Sequence, residues 1–98
     1  MKNLSKKIPE YKQELVEVFS KVFGDKKLMK EFLTDILTPA EFEVLALRWQ
    51  IVKKLNKNDT HRSIAGDLGL GISTVTRGSR QLRNKNGGFH TMLKKLNK

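Results

Sequence analysis

Apolar residues recur at steps of three and four along nearly all of this chain, and that period admits one regular structure, the α-helix. Ile8, Tyr11, Leu15, Phe19 and Val22 mark a first helix, with Pro9 suited to its first turn and Gly24-Asp25 breaking the pattern. The doublets Leu28-Met29, Phe32-Leu33 and Ile36-Leu37 fall four apart and line one broad stripe of a second. Thr38-Pro39-Ala40-Glu41 opens a third. Thr38 is the N-cap, Pro39 takes the first helical position, and Glu41 completes a reciprocal capping box. This helix runs to about Lys57. Phe42, Leu45, Trp49, Val52 and Leu55 form one face, and Val44, Leu47 and Ile51 a second, which predicts a central helix buried on two sides. Thr60 begins a fourth helix, with Ile64, Ala65 and Leu68 inward, and Gly69 ends it. A fifth follows Gly71, over about 73–82, with Val75 and Leu82 inward. After a loop at 84–88, Phe89, Met92, Leu93 and Leu96 suit a last short helix. No alternating β-branched run suggests a strand. The expected fold is all-α, about six helices, in one domain over 1–98.

At 98 residues such a domain buries only a modest core, so a partner subunit is expected. The net charge of +10 is unevenly spread. Residues 1–49 carry nine Lys/Arg and eight Asp/Glu, whereas residues 50–98 carry eleven Lys/Arg against Asp59 and Asp67. A near-neutral half followed by a basic half points to a polyanionic partner, nucleic acid first. There is no cysteine, hence no disulfide, thiolate nucleophile or Cys-based zinc site. No apolar run is long enough for a membrane span, and the basic start lacks the apolar core of a signal peptide, so a cytoplasmic protein is expected. His61 and His90 have no metal-ligand spacing, and no nucleophile–base–acid set is evident, so neither a metal site nor an enzyme is expected.

The basic half contains the pattern of a helix-turn-helix over 60–82. A small residue at Ala65 lets two helices approach, and Gly69 tolerates the positive φ of a tight turn. Ile64, Leu68, Leu70 and Val75 set the angle between the helices. The second helix then presents Ser73, Thr74, Thr76, Arg77 and Arg80 outward, hydroxyls and guanidiniums that reach base edges and phosphates in a major groove. An ordinary two-helix packing corner fits the same pattern.

Leu37 to Glu41, Arg48, Ile51-Val52, and the run from Gly71 through Thr76-Arg77-Gly78-Ser79 closely resemble the tryptophan repressor family, over about half the chain. The resemblance implies an intertwined homodimer whose helices in 1–58 dimerise, followed by the helix-turn-helix and a C-terminal helix at 87–98. It implies L-tryptophan as corepressor, no other cofactor, and repression at palindromic double-stranded operators. On the matching positions, Arg48 and Arg77 would sandwich the indole, and Arg77 would also pair the ligand carboxylate. Planar guanidiniums suit both tasks. Gly78 would leave room for the ring edge. Backbone carbonyls near Leu37 and the Thr38 hydroxyl would meet the ligand from the other subunit. Arg62, Ile72, Ser73, Thr74, Thr76 and Ser79 would face the operator.

Two positions depart from the family. Lys57-Asn58-Asp59 makes a turn one residue shorter and without its glycine, although Asn can adopt the left-handed conformation that stops a helix. Gln81 replaces a Ser-type residue near the indole N–H, and its amide oxygen is an acceptor. These departures keep open a regulator of the same fold that senses no ligand or another aromatic metabolite. Two other classes fit less well. A nucleic-acid-coating protein needs aromatics interleaved with its basic surface, and the C-terminal half offers only Phe89. An adaptor using the apolar helices of 8–37 is better read as a dimer interface.

Overall fold

A computed structural model describes residues 4–96. It contains six α-helices and, among the described residues, no strand. They are α1 (Leu4–Lys21), α2 (Lys26–Ile36), α3 (Pro39–Asn56), α4 (His61–Leu68), α5 (Ile72–Leu82) and α6 (Gly88–Leu96). The all-α expectation is met. Residues 97–98 of the expected C-terminal helix lie outside the described residues. The chain divides into two compact units, Met1–Phe42 and Glu43–Lys98.

In the first unit α1 starts at Leu4, so Pro9 sits in its second turn rather than its first. A helical residue there would donate to the carbonyl four before it, that of Ser5, and proline cannot. The loss is tolerable because Ser5 is exposed, and water can solvate a carbonyl in the terminal turn. Gly24 turns the chain at φ 84. Asp25 then caps α2, its side chain accepting the Leu28 N–H at 3.0 Å. Phe19 and Phe32 meet edge to face with centroids 5.2 Å apart. Val22 alone among this unit's described residues is buried. Val16 and Phe23 are 67% and 86% exposed, and the stripe of α2 contributes no fully buried residue.

The α3 start forms as the capping box requires. The Glu41 N–H donates to Thr38 Oγ1 at 3.1 Å, and the Thr38 N–H donates to Glu41 Oε1 at 2.8 Å. The expectation of a helix buried on two sides fails within one chain. Only Ile51 and Val52 of α3 are buried, whereas Val44 and Leu45 are 45% and 43% exposed. Each of the two expected faces is thus covered toward the C-terminus of α3, at Val52 and Ile51, and open toward its start, at Leu45 and Val44.

The second unit carries the core. Ile51, Ile64, Ala65 and Val75 are buried together, with Leu55, Leu68 and Leu70 packed against them. Two chain reversals position it. At the end of α3, Asn58 takes φ 67, its N–H donating to Leu55 and that of Asp59 to Lys54, both through backbone carbonyls. This is a Schellman stop built on asparagine in place of glycine. At the end of α4, Gly69 also takes φ 67, and the Leu70 N–H donates to the Ala65 carbonyl at 2.9 Å. Thr60 caps α4 by accepting the Ser63 N–H at 3.1 Å.

Candidate ligand cleft and nucleic-acid interface

The α4–turn–α5 segment has the helix-turn-helix arrangement, with Ile64 and Val75 fully buried between its helices. The expected start of α5 moves forward one residue, to Ile72, because Gly71 takes the extended N-cap conformation. Gly71 has no side chain to cap the helix; its carbonyl accepts the Thr74 N–H at 3.2 Å, and among the described residues the Ile72 and Ser73 amides have no partner and stay open to water or an anion. Arg62, Ile72, Ser73 and Thr74 are exposed as a groove-reading surface needs. Thr76 and Ser79 are only half-buried, not fully outward. Thr76 Oγ1 lies 3.4 Å from His61 Nδ1 on α4, and the Ser79 hydroxyl donates to the Thr76 carbonyl at 2.7 Å. Part of the expected reading surface is therefore tied to its own scaffold. Arg80 and Arg83 continue the exposed basic edge of α5.

A cleft of about 450 Å3 lies within the second unit. That is within the usual range for a small-molecule site. Its apolar floor is Ile51 and Val52 of α3. Arg48 comes from one turn earlier on α3, and Thr74, Arg77, Gly78 and Gln81 come from α5. Phe89 of α6 completes the lining. Two arginines 29 positions apart in sequence thus meet in one cavity. Both are exposed, and neither makes an ion pair among the described residues, where the one such pair joins Lys54 to Asp67 at 3.7 Å.

Gly78 is required by packing. A Cβ built there would lie 2.9 Å from Ile51 Cγ2, so the absent side chain lets α5 close on α3. Gln81 lines the cleft, where its amide offers both an acceptor and a donor. Thr74, expected only at the operator face, lines the cleft as well. Leu37 and Thr38 belong to the first unit; Leu37 is extended at the end of α2, and Thr38 Oγ1 accepts from Glu41 while its own proton stays available. Sequence reasoning missed Phe89. Its one signal was its isolation as the only aromatic after Trp49.

Residues 10–97 match the family described as Trp repressor protein. The chain belongs to the Trp repressor family. It is similar to a Trp operon repressor homolog of Vibrio campbellii, 38% identical over 91 residues that cover 90% of each chain. A Trp operon repressor homolog of Vibrio parahaemolyticus is 37% identical over 90% of this chain and 87% of the relative. One from Actinobacillus succinogenes is 41% identical over 66% of this chain and 65% of the relative. The match extends past both ends of the block from Leu37 to Leu82 in which the resemblance is legible, and so includes α6. The Trp repressor family is made of regulators, not enzymes, and this chain is a repressor-type regulator of transcription. No described helix is long and apolar enough to cross a membrane.

Proposed function

We propose that the protein is a cytoplasmic, homodimeric repressor that binds double-stranded operator DNA through α4 and α5 and takes L-tryptophan as its corepressor. The observation that carries the ligand assignment is the convergence of Arg48 and Arg77 on a cleft floored by Ile51 and Val52. Guanidinium planes stack on an aromatic ring, and one of them can take a carboxylate with two parallel hydrogen bonds. The apolar floor accepts the ring and Gln81 accepts its N–H. Leu37 and Thr38 of the partner subunit would close the cleft over the ligand's amino-acid end. The dimer assignment is supported by the apolar surface of α1, α2 and the start of α3, which one protomer leaves open. Operator binding is supported by the basic α5, its uncapped N-terminus, and the exposed Arg62, Ile72, Ser73 and Thr74.

The ligand acts by population shift. Wedged between α3 and α5, it favours one setting of the recognition helix, so that the two copies in a dimer meet successive major grooves. Dimeric helix-turn-helix proteins, Trp repressors among them, space half-sites about 34–36 Å apart. Only tighter binding to the DNA-competent setting produces such a shift. One observation favours a second reading: Gln81 lines the cleft, and it is longer than the Ser-type residue the resemblance implies there, which suits a regulator responding to a different aromatic metabolite. Calorimetric titration with L-tryptophan, L-tyrosine and indole tests both. Saturable binding of L-tryptophan in preference to the others supports the first reading, and preference for another ring compound supports the second.

A further inference from the structure

The recognition helix and the ligand cleft share a neighbour that the helix-turn-helix does not require. Helix α6 follows a loop after α5 and returns against it. Three observations fix its place: one buried residue, one contact with α5 and one with α3. Leu93 is buried at 7% exposure. His90 Nε2 pairs with the Leu82 carbonyl at the C-terminus of α5, where a ring N–H satisfies an acceptor the helix leaves without a partner. Phe89 lies against Trp49 of α3, centroids 6.4 Å apart and planes tilted by 48°. Phe89 is held from two sides, through its ring by Trp49 and through the next residue by α5. It is half-buried and lines the cleft.

The cleft therefore has two kinds of wall. The arginines offer cationic planes, which accept any ring or any carboxylate. Phe89 is the only aromatic among the described residues that line the cleft, and aromatic rings prefer edge-to-face or offset contact with another ring. We propose that Phe89 is a specificity-determining residue of the ligand cleft, making ring-to-ring contact with an aromatic amino acid and coupling its binding to the docking of α6 on α5. This rests on the reading of the cleft as an amino-acid site. It adds a residue from outside the helix-turn-helix and gives α6 a role in recognition.

The test is calorimetric titration of the full-length wild type and of Phe89→Ala, Phe89→Leu, Phe89→Tyr and Arg77→Ala with L-tryptophan, L-phenylalanine and L-leucine. Circular dichroism melts run alongside. Phe89→Ala should bind L-tryptophan about tenfold or more weakly, the order expected when a buried aromatic contact is removed. Phe89→Leu fills most of the space without the ring, and should lower the preference for L-tryptophan over L-leucine. Phe89→Tyr keeps the ring and should retain that preference. A purely structural role would weaken all ligands alike and leave the preference unchanged in Phe89→Leu, which overturns the proposal. Wild-type affinity in Phe89→Ala, with Arg77→Ala still losing it, overturns the role of Phe89 and leaves the cleft assignment standing. A wild type that binds none of the three ligands overturns both.

Discussion

Gly78→Ala should destabilise the protein, although alanine is the better helix former. Helix propensity alone favours Ala over Gly by about 1 kcal/mol. Against that stands one contact. The new Cβ would lie 2.9 Å from Ile51 Cγ2 and 3.8 Å from Ile51 Cβ. The first distance is too short for two carbons, and Ile51 is 2% exposed, locked among Ile64, Ala65 and Val75. Overpacking a filled core costs about 1–3 kcal/mol. Subtracting the propensity gain leaves a net loss of about 0–2 kcal/mol, with about 1 the central expectation. Urea unfolding followed by circular dichroism reads the shift in midpoint at unchanged slope. A second variant separates the two effects. Ile51→Leu has no Cγ2 on its β-carbon and conserves volume, so it should cost less than about 1.5 kcal/mol. In that background Gly78→Ala has nothing to strike and should be stabilising. A Gly78→Ala that stabilises the wild-type background equally would refute the claim that this glycine is held by the approach of α5 to α3.

The other expectations are local. Thr38→Ala removes the acceptor of the Glu41 N–H and half of the capping box, and should cost about 1 kcal/mol in chemical denaturation. Asn58→Gly relieves a left-handed conformation at φ 67 and should stabilise by up to about 1 kcal/mol, whereas a loss would show that the Asn58 side chain is needed in the turn. Thr76→Ala should weaken operator binding while calorimetry finds L-tryptophan binding intact; loss of both would place Thr76 in the cleft. Arg77→Ala should lose the response to L-tryptophan, at a cost of about 1–3 kcal/mol for a hydrogen bond to a charged group, and unchanged affinity would remove Arg77 from the site.

What could be read in advance is what is encoded within four or five residues. The Thr38–Glu41 box, the Thr60 cap, the Gly69 turn and the left-handed Asn58 are each local bargains between a side chain and its nearest backbone. The pairing of Arg48 with Arg77 was legible only through the family resemblance, since spacing in sequence does not say which helices meet. Phe89 was invisible for the same reason. Its period announces a helix, but its place in the cleft depends on how the loop at 84–88 returns α6 to α5. The expectation for α3 went wrong differently. Apolar residues on two faces announce a helix with two sides to bury, without saying what buries them, and Val44 and Leu45 stay exposed in the single chain. Thr76 faces outward by its place on α5 and Ser79 faces the operator by the resemblance alone, while the structure ties both hydroxyls to nearby groups.

The central claim is that occupation of the cleft changes how the protein holds DNA. The direct measurement is a titration of a palindromic operator by the full-length protein, with and without saturating L-tryptophan. Salt is held constant because phosphate contacts make affinity fall steeply as it rises. The account predicts tightening by about tenfold or more, a coupling of about 1.4 kcal/mol, with no comparable gain on scrambled DNA. Equal operator affinity in the presence and absence of L-tryptophan would contradict it.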